Sequence, residues 1–255
     1  MSATAVACQN LTVRFVTERR TVTALDRVSF SLERGGFLAL LGPSGCGKST
    51  LLNIISGLLH PSQGRILFND KDVTNAPTTQ RNIAQVFQFP VVYDTMTVRD
   101  NLAFPLRNRG ADPAYIKARV QQIAAMIGME DSLNYKARGL TADAKQKISL
   151  GRGMVREDVN ALLFDEPLTV IDPHMKWRLR SQLKHLHKRY GFTMIYVTHD
   201  QEEAMEVAEE EKEKLVKMLL MVDEAAFPGD QVTEDEGYLK AFREGRKVEF
   251  HACEL

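Results

Sequence analysis

Eight consecutive residues, Gly42-Pro43-Ser44-Gly45-Cys46-Gly47-Lys48-Ser49, constrain this 255-residue chain more than anything else in it. They fit the pattern G-x-x-x-x-G-K-[ST] and stand between a continuous apolar run at residues 37–41 and a helix-forming stretch at 49–57. Strand, Gly-rich bend and helix in that order let the backbone aim successive N–H groups into one concavity, to which the helix N-terminus adds partial positive charge. The chemistry this serves is phosphate binding. Lys48 would reach the β- and γ-phosphates of a nucleotide, and the Ser49 hydroxyl would ligate Mg2+. Thr50, next in the first helical turn, belongs with Gly42 to Ser49 in the nucleotide-binding set.

The rest of the chain alternates in a way that suits such a motif. Strands are expected over residues 5–14, 24–32, 37–41, 64–68 and 82–87. From residue 97 to 153 the spacing turns helical, with Ile116, Val120, Ile123 and Ile127 on one face. A strand at 161–165 follows, then a helix with Met175, Leu179, Leu183 and Leu186 on one face, then a strand at 193–197. Strands alternating with helices predict a buried, mostly parallel α/β sheet, into which residues 97–153 form a helical insert.

Composition excludes several classes. Disorder, collagen and coiled coil do not fit a chain that is 44% apolar by a wide definition. No apolar run approaches the roughly 20 residues that a membrane-spanning helix requires, and the first residues lack a basic segment followed by an apolar one, so a soluble chain without a secretory signal is expected. Cys8, Cys46 and Cys253 are three, widely spaced and without metal-ligand spacing, which fits a reducing cytosol. Lys+Arg and Asp+Glu balance at 33 each, but residues 201–255 hold 16 acidic and 7 basic side chains, net −9, which leaves net +9 on residues 1–200. The basic residues are scattered among apolar ones rather than gathered on a stripe, which argues against nucleic acid as a partner.

Two strand ends supply further chemistry. Ala161-Leu162-Leu163-Phe164-Asp165-Glu166 is an apolar strand ending in two acids. Beside a phosphate-binding loop, Asp165 would hold the metal and Glu166 would polarise an attacking water. His199 ends the next strand, where the loops of a doubly wound sheet collect, and would contact the γ-phosphate.

Taken together, the P-loop, Val86-Phe87-Gln88, Leu162 to Pro167, Ile171-Asp172 and Thr198-His199-Asp200 resemble the ATP-binding subunit of ABC transporters. Within these they resemble the sugar and polyol importers, and most closely the glycerol-uptake ATPases, through residues 82–106 and 164–177. The resemblance spans about residues 5–205. It implies an α/β P-loop NTPase of ABC type, with a mostly parallel core sheet, an N-terminal antiparallel β-subdomain and an inserted helical subdomain. The implied division is 1–88 for the β-subdomain and P-loop part of the core, 89–153 for the helical subdomain, 154–205 for the remainder of the core and 206–255 for an atypical acidic C-terminal segment. It makes Gln88 a metal contact that senses the membrane subunit, and Asp172 an aspartate at a dimer seam. Glu166 becomes the general base, His199 the switch histidine and Phe15 an aromatic near adenine. The implied cofactors are ATP and Mg2+, with Ser49, Gln88 and Asp165 on the metal. The implied partners are transmembrane permease subunits, a second ATP-binding subunit and, indirectly, a periplasmic solute-binding protein, at the cytoplasmic face of the membrane.

Two departures matter. Where the family has Leu-Ser-Gly-Gly-Gln, this chain has Leu140-Thr141-Ala142-Asp143-Ala144. The glycines are replaced by side chains, one of them acidic, in a loop that covers the γ-phosphate of the other subunit, and like charges about 4 Å apart at an effective dielectric near 20 cost several kcal/mol. A heterodimer with a second ATPase that keeps its own signature would preserve one good site. After Met205 the family pattern is lost: residues 206–217 are a Glu/Lys-rich helix candidate, and the closing strands of the sheet are either missing or re-supplied by residues 215–222. The leading function is transport-coupled ATP hydrolysis, with a nucleotide-binding regulatory subunit of little turnover as the alternative.

Overall fold

A computed structural model describes residues 4–16, 21–42, 44–200 and the backbone of 216–220, apart from the side chains of 173–175 and 186. In chain order the first elements are β1 (Thr4–Val16), β2 (Thr21–Glu33), β3 (Phe37–Leu41), α1 (Lys48–Ser56), β4 (Gln63–Phe68), β5 (Lys71–Asp72), α2 (Thr78–Arg81) and β6 (Ile83–Val86). Then come α3 (Val98–Arg107), α4 (Pro113–Ile127), α5 (Ala142–Met154), β7 (Ala161–Asp165), α6 (Pro173–Tyr190), β8 (Met194–Thr198) and β9 (Val216–Leu220). The chain divides into two compact units, Met1–Pro77 with Ile195–Leu255, and Thr78–Met194.

The first unit carries the antiparallel sheet β2-β1-β4-β5. β1 is long enough to pair on both edges, and its register against β4 shifts between Gln9 and Thr12. Gly64 makes that irregularity possible: at φ 94° a Cβ there would lie 2.5 Å from the carbonyl oxygens of Gln9 and Asn10, so no larger residue fits. All five residues of β3 are buried, as expected of an apolar strand covered on both faces. Its parallel partner is β9, in register from Phe37↔Val216 to Leu41↔Leu220. Val216 and Lys217, the end of the Glu/Lys-rich stretch expected as helix, are therefore strand; the rest of that stretch lies outside the described residues. α1 buries Leu51, Leu52, Ile54 and Ile55 completely and closes on Gly57 at φ 82°.

The second unit pairs β6 with β7 in parallel, Ile83↔Ala161 to Val86↔Phe164. α3, α4 and α5 pack on one another and start on side-chain caps: Thr97, Asp112 and Thr141 each accept a first-turn N–H. Val120, Ile123 and Ile127 of α4 are buried and Ile116 is half-buried, the face that their spacing predicts. Arg119, 2% exposed, donates from Nε to the Val155 carbonyl at 2.9 Å and from NH2 to that of Met154 at 2.9 Å, closing the C-terminal end of α5 with a cation. Gly151 is the point of closest approach. A Cβ there would meet Leu102 Cδ2 at 2.6 Å, Ile123 Cγ2 at 3.0 Å and Ile127 Cδ1 at 3.1 Å. In α6, Leu179 and Leu183 are buried, while the side chains of Met175 and Leu186 lie outside the described residues.

Candidate nucleotide site

In the first unit the chain leaves β3 at Leu41 and turns through the Gly-rich bend into α1. Gly45 and Gly47 hold φ of 87° and 99°, a left-handed backbone that costs residues with a Cβ roughly 1–2 kcal/mol. Gly47 is also the N-cap of α1 and, having no side chain, makes no side-chain cap bond. Lys48 is 4% exposed, and its ammonium arches back to donate to the Gly42 carbonyl at 2.7 Å, with Cys46 Sγ at 3.9 Å. The amine is thus held over the mouth of its own loop. Burial pushes the Cys46 thiol up, against the opposing pull of the Lys48 charge, which keeps it a thiol at neutral pH. Ser44, Gly45 and Ser49 are exposed and Thr50 is half-buried; Pro43 lies outside the described residues.

His199 belongs to the same unit. It is exposed, immediately beyond the end of β8, in a turn closed by the Asp200 N–H donating to Thr198 Oγ1 at 3.0 Å. Phe15 is paired across the hairpin with Val22 and is 42% exposed, so it is not a core residue.

In the second unit β7 is buried from Ala161 to Phe164 and emerges at the half-buried pair Asp165 and Glu166. Glu166 has φ 45°, a left-handed backbone rare for a residue with a side chain and one that its surroundings must hold in place. Its Oε2 accepts from Gln88 Nε2 and from Thr169 Oγ1, both at 3.4 Å. The structure therefore brings Gln88 and Glu166 together from 78 residues apart. With its NH2 turned to Glu166, the Gln88 amide keeps its oxygen as an acceptor. Asp172 is exposed and immediately precedes α6; the Lys176 N–H donates to its carbonyl at 3.0 Å, and Pro173 opens the helix.

The donor chemistry suits Mg2+. Among the described residues there is no cluster of three or more His, Cys, Asp or Glu able to cage an ion. Mg2+ at phosphate sites instead takes one or two carboxylates and completes its shell with phosphate and water. Ser49 in the first unit carries a hydroxyl, and Asp165 and Gln88 in the second carry a carboxylate and an amide oxygen, each by itself a hard donor.

The sequence pattern gives no signal for Thr169 and only a weak one for Gln146. Thr169 is an ordinary loop residue by composition. Gln146 carries a weak signal, a polar side chain four positions before the buried Leu150 on the inward face of α5. Further toward the N-terminus of that helix, Asp143 pairs with Lys147 at 2.8 Å, one turn on, so the acid that replaces the signature glycine brings its own counter-ion.

The family model described as ABC transporter matches residues 25–169. The chain is 44% identical over 190 residues to the trehalose/maltose import ATP-binding protein of Thermococcus litoralis, covering 72% of this chain and 51% of that one. It is 40% identical over 188 residues to the sn-glycerol-3-phosphate import ATP-binding protein of Chromohalobacter salexigens, covering 74% and 50%. It is 37% identical over 204 residues to a Fe(3+) ions import ATP-binding protein of Brucella abortus, covering 80% and 56%. The chain spans about half the length of the curated relatives it matches. Among solved structures, the ATP-binding cassette MJ0796, a dimer in a post-hydrolysis state with ADP and Pi, superimposes with TM-score 0.73 at 25% identity, covering 84% of this chain and 94% of that one. The model match spans more than half of the chain, and it covers both the Lys48 loop and the strand end with Asp165 and Glu166: the chain belongs to the ABC transporter ATP-binding family.

Proposed function

We propose that this chain binds and hydrolyses ATP to drive an ABC importer of a small polyol or sugar, with glycerol as the narrowest reading. The observation that carries the proposal is the pairing of a strained Glu166 with Gln88, in a chain that also has a P-loop whose Lys48 is held over the bend. In this reading Lys48 and the first-turn N–H groups of α1 bind the β- and γ-phosphates. Glu166 takes the proton of the attacking water, and His199 contacts the γ-phosphate as charge builds on it. Mg2+, held by Ser49 and Asp165 with Gln88 beside it, would neutralise phosphate charge. Phe15 is the candidate adenine contact and Asp172 the candidate residue at a dimer seam.

The partners proposed are a permease pair, contacted by the helical subdomain 89–153, a second ATP-binding subunit and, indirectly, a periplasmic solute-binding protein. A heterodimer is favoured because Ala142 and Asp143 fill space that two glycines would leave open. Lys147 offsets part of the Asp143 charge, so side-chain volume is the stronger argument. Among the described residues no helix is long and apolar enough to cross a membrane, and a peripheral position on the cytoplasmic face is proposed on the strength of the permease partnership.

The test is ATP turnover of the assembled transporter and of its Glu166→Gln variant. Loss of a general base lowers the rate by roughly 10²–10⁴, with Mg-ATP binding retained. Full turnover in the variant removes Glu166 from this role, and Mg-ATP binding without turnover in the intact complex replaces the enzyme by a regulatory subunit.

A further inference from the structure

Gln146, in α5, is fully buried at 0% exposure. Its Nε2 donates to the Phe87 carbonyl at 3.1 Å and to the Pro167 carbonyl at 2.7 Å, partners 59 and 21 residues away in sequence. Both partners are carbonyls and can only accept, so the amide must face them with its NH2 group. Phe87 is the residue before Gln88, and Pro167 is the residue after Glu166. One side chain thus clamps the backbone on the outer side of each member of the pair that meets at 3.4 Å.

The opposite end of the same amide argues against a role in packing alone. Gln146 Oε1 is buried and has no hydrogen-bond partner among the described residues. A buried acceptor without a donor costs roughly 1–3 kcal/mol, a cost that a methionine of similar length would not carry. What the glutamine supplies, and an apolar residue cannot, is a donor shared by two carbonyls beside the proposed base. Glu166, at φ 45°, is the kind of backbone that persists only where its neighbours over-determine it.

We propose that Gln146 is the positioning residue of the Gln88–Glu166 pair. Its NH2 group fixes the two carbonyls that flank the pair and so holds the Glu166 carboxylate where it can act. Because Gln146 rides on α5, whose N-cap is Thr141 of the altered signature stretch, a shift of that helix is passed to the base through this one amide. The proposal rests on Glu166 being the general base, but its structural half stands independently.

The experiment has two arms on the full chain, using Gln146→Met, which removes the donor and the orphan acceptor at nearly constant volume. In the assembled transporter with Mg-ATP, kcat falls roughly tenfold to a hundredfold while KM for ATP stays within about threefold, because the phosphate-binding loop is untouched. In a Gln88→Ala background the same substitution costs much less, because the pair it positions is already broken. The second arm is amide hydrogen exchange of the purified chain, which needs no turnover. Exchange at residues 86–89 and 166–169 accelerates while α4 is unchanged. Unaltered exchange at both segments overturns the proposal whatever the activity. So does wild-type kcat in the folded variant where Glu166→Gln is inactive, or an equal loss with and without Gln88. An inactive wild type whose exchange still responds leaves the clamp standing and removes only the catalytic reading. Where the methionine variant does not fold, Gln146→Leu, which also removes the donor, is read in the same way; failure of both to fold makes the amide a determinant of folding and ends the proposal.

Discussion

The Lys48 loop and the Gln88–Glu166 pair both hold chemical groups at fixed positions, and they draw the holding forces from different ranges of sequence. In the loop everything is local. Two glycines adopt left-handed backbone, and the lysine bonds to a carbonyl six residues upstream. In the pair the contacts join residues 78 apart directly, and 59 and 21 apart through Gln146. A local device is set by its own few residues and is insensitive to repacking elsewhere. A non-local one exists only as accurately as the packing that assembles it, so helices with no chemistry of their own can affect it.

The largest effect that tests this contrast is Lys48→Ala. Removing the buried cation proposed to meet developing phosphate charge should lower kcat/KM by roughly 10²–10³ and weaken nucleotide binding, read by equilibrium titration with an ATP analogue. In Glu166→Gln, by contrast, binding is expected to survive. A Lys48→Ala variant with wild-type affinity would transfer phosphate binding entirely to the backbone N–H groups and erase the distinction between the two regions.

The same contrast decides what was legible in the sequence. The Lys48 loop could be read because its residues are contiguous and each has a steric or electrostatic reason for its place. The buried strands β3 and β7 could be read as continuous apolar runs, and α4 from its repeating face. Asp165 and Glu166 could be marked as acids at a strand end, but neither the φ of 45° at Glu166 nor its contact with Gln88 has a local signature. Gln146 stands between Lys145 and Lys147, and nothing in that triplet distinguishes the buried residue from its neighbours; only the placement of α5 against β6 and the carbonyls of Phe87 and Pro167 does. The pairing of Val216–Leu220 with β3 was open for a similar reason, since a short apolar run after a Glu/Lys-rich stretch fits the end of a helix as well as a strand.

Glycines sharpen the comparison, because each region uses one for a different purpose. Gly45 has nothing within 4 Å of an added Cβ, so Gly45→Ala is opposed by its φ of 87° alone. Gly151 is held by space, with three side-chain atoms at 2.6–3.1 Å from an added Cβ. Gly151→Ala should destabilise the chain by about 1–3 kcal/mol through overpacking, against roughly 1–2 kcal/mol for Gly45→Ala, both read by urea denaturation. A second substitution, Leu102→Ala, opens room beside Gly151 and should make Gly151→Ala cheaper, whereas it leaves the cost of Gly45→Ala unchanged. Equal relief at both positions would mean that the Gly45 position is not set by local backbone.

A smaller effect is expected at Thr169. Its hydroxyl donates to Glu166 Oε2 at 3.4 Å, a long and exposed bond beside the similar one from Gln88. Thr169→Val keeps the shape and removes the donor. The expected loss is about two- to fivefold in turnover, because a bond this long and exposed is worth only roughly 0.5–1 kcal/mol even to a carboxylate. A loss as large as that of Glu166→Gln would make Thr169 the chief support of the base and displace Gln146.

The smallest effect concerns a local device inside the otherwise non-local unit. At the start of α3 the Thr97 hydroxyl donates to Asp100 Oδ2 at 2.7 Å while the Asp100 N–H donates to Thr97 Oγ1 at 3.1 Å, and Arg107 NH1 reaches Asp100 Oδ1 at 2.9 Å. The Thr97 hydroxyl above all, helped by Arg107, holds the Asp100 carboxyl below the usual carboxylate range against the opposing effect of burial. A carboxyl whose pKa is lower folded than unfolded contributes stability that is fully present above its unfolded value, about 3.9, and is lost as pH falls through the lower folded value. Asp100→Asn should therefore be less stable than wild type by a few tenths of a kcal/mol near pH 7, and the difference should vanish in acid, below the ordinary carboxylate titration. Because the contacts lie within one helix and its cap, the loss should leave exchange at residues 86–89 and 166–169 unchanged. A loss that also loosened those segments would mean that the α3 cap supports the base through the Leu102–Gly151 contact, and the line between local and long-range devices would have to be redrawn there.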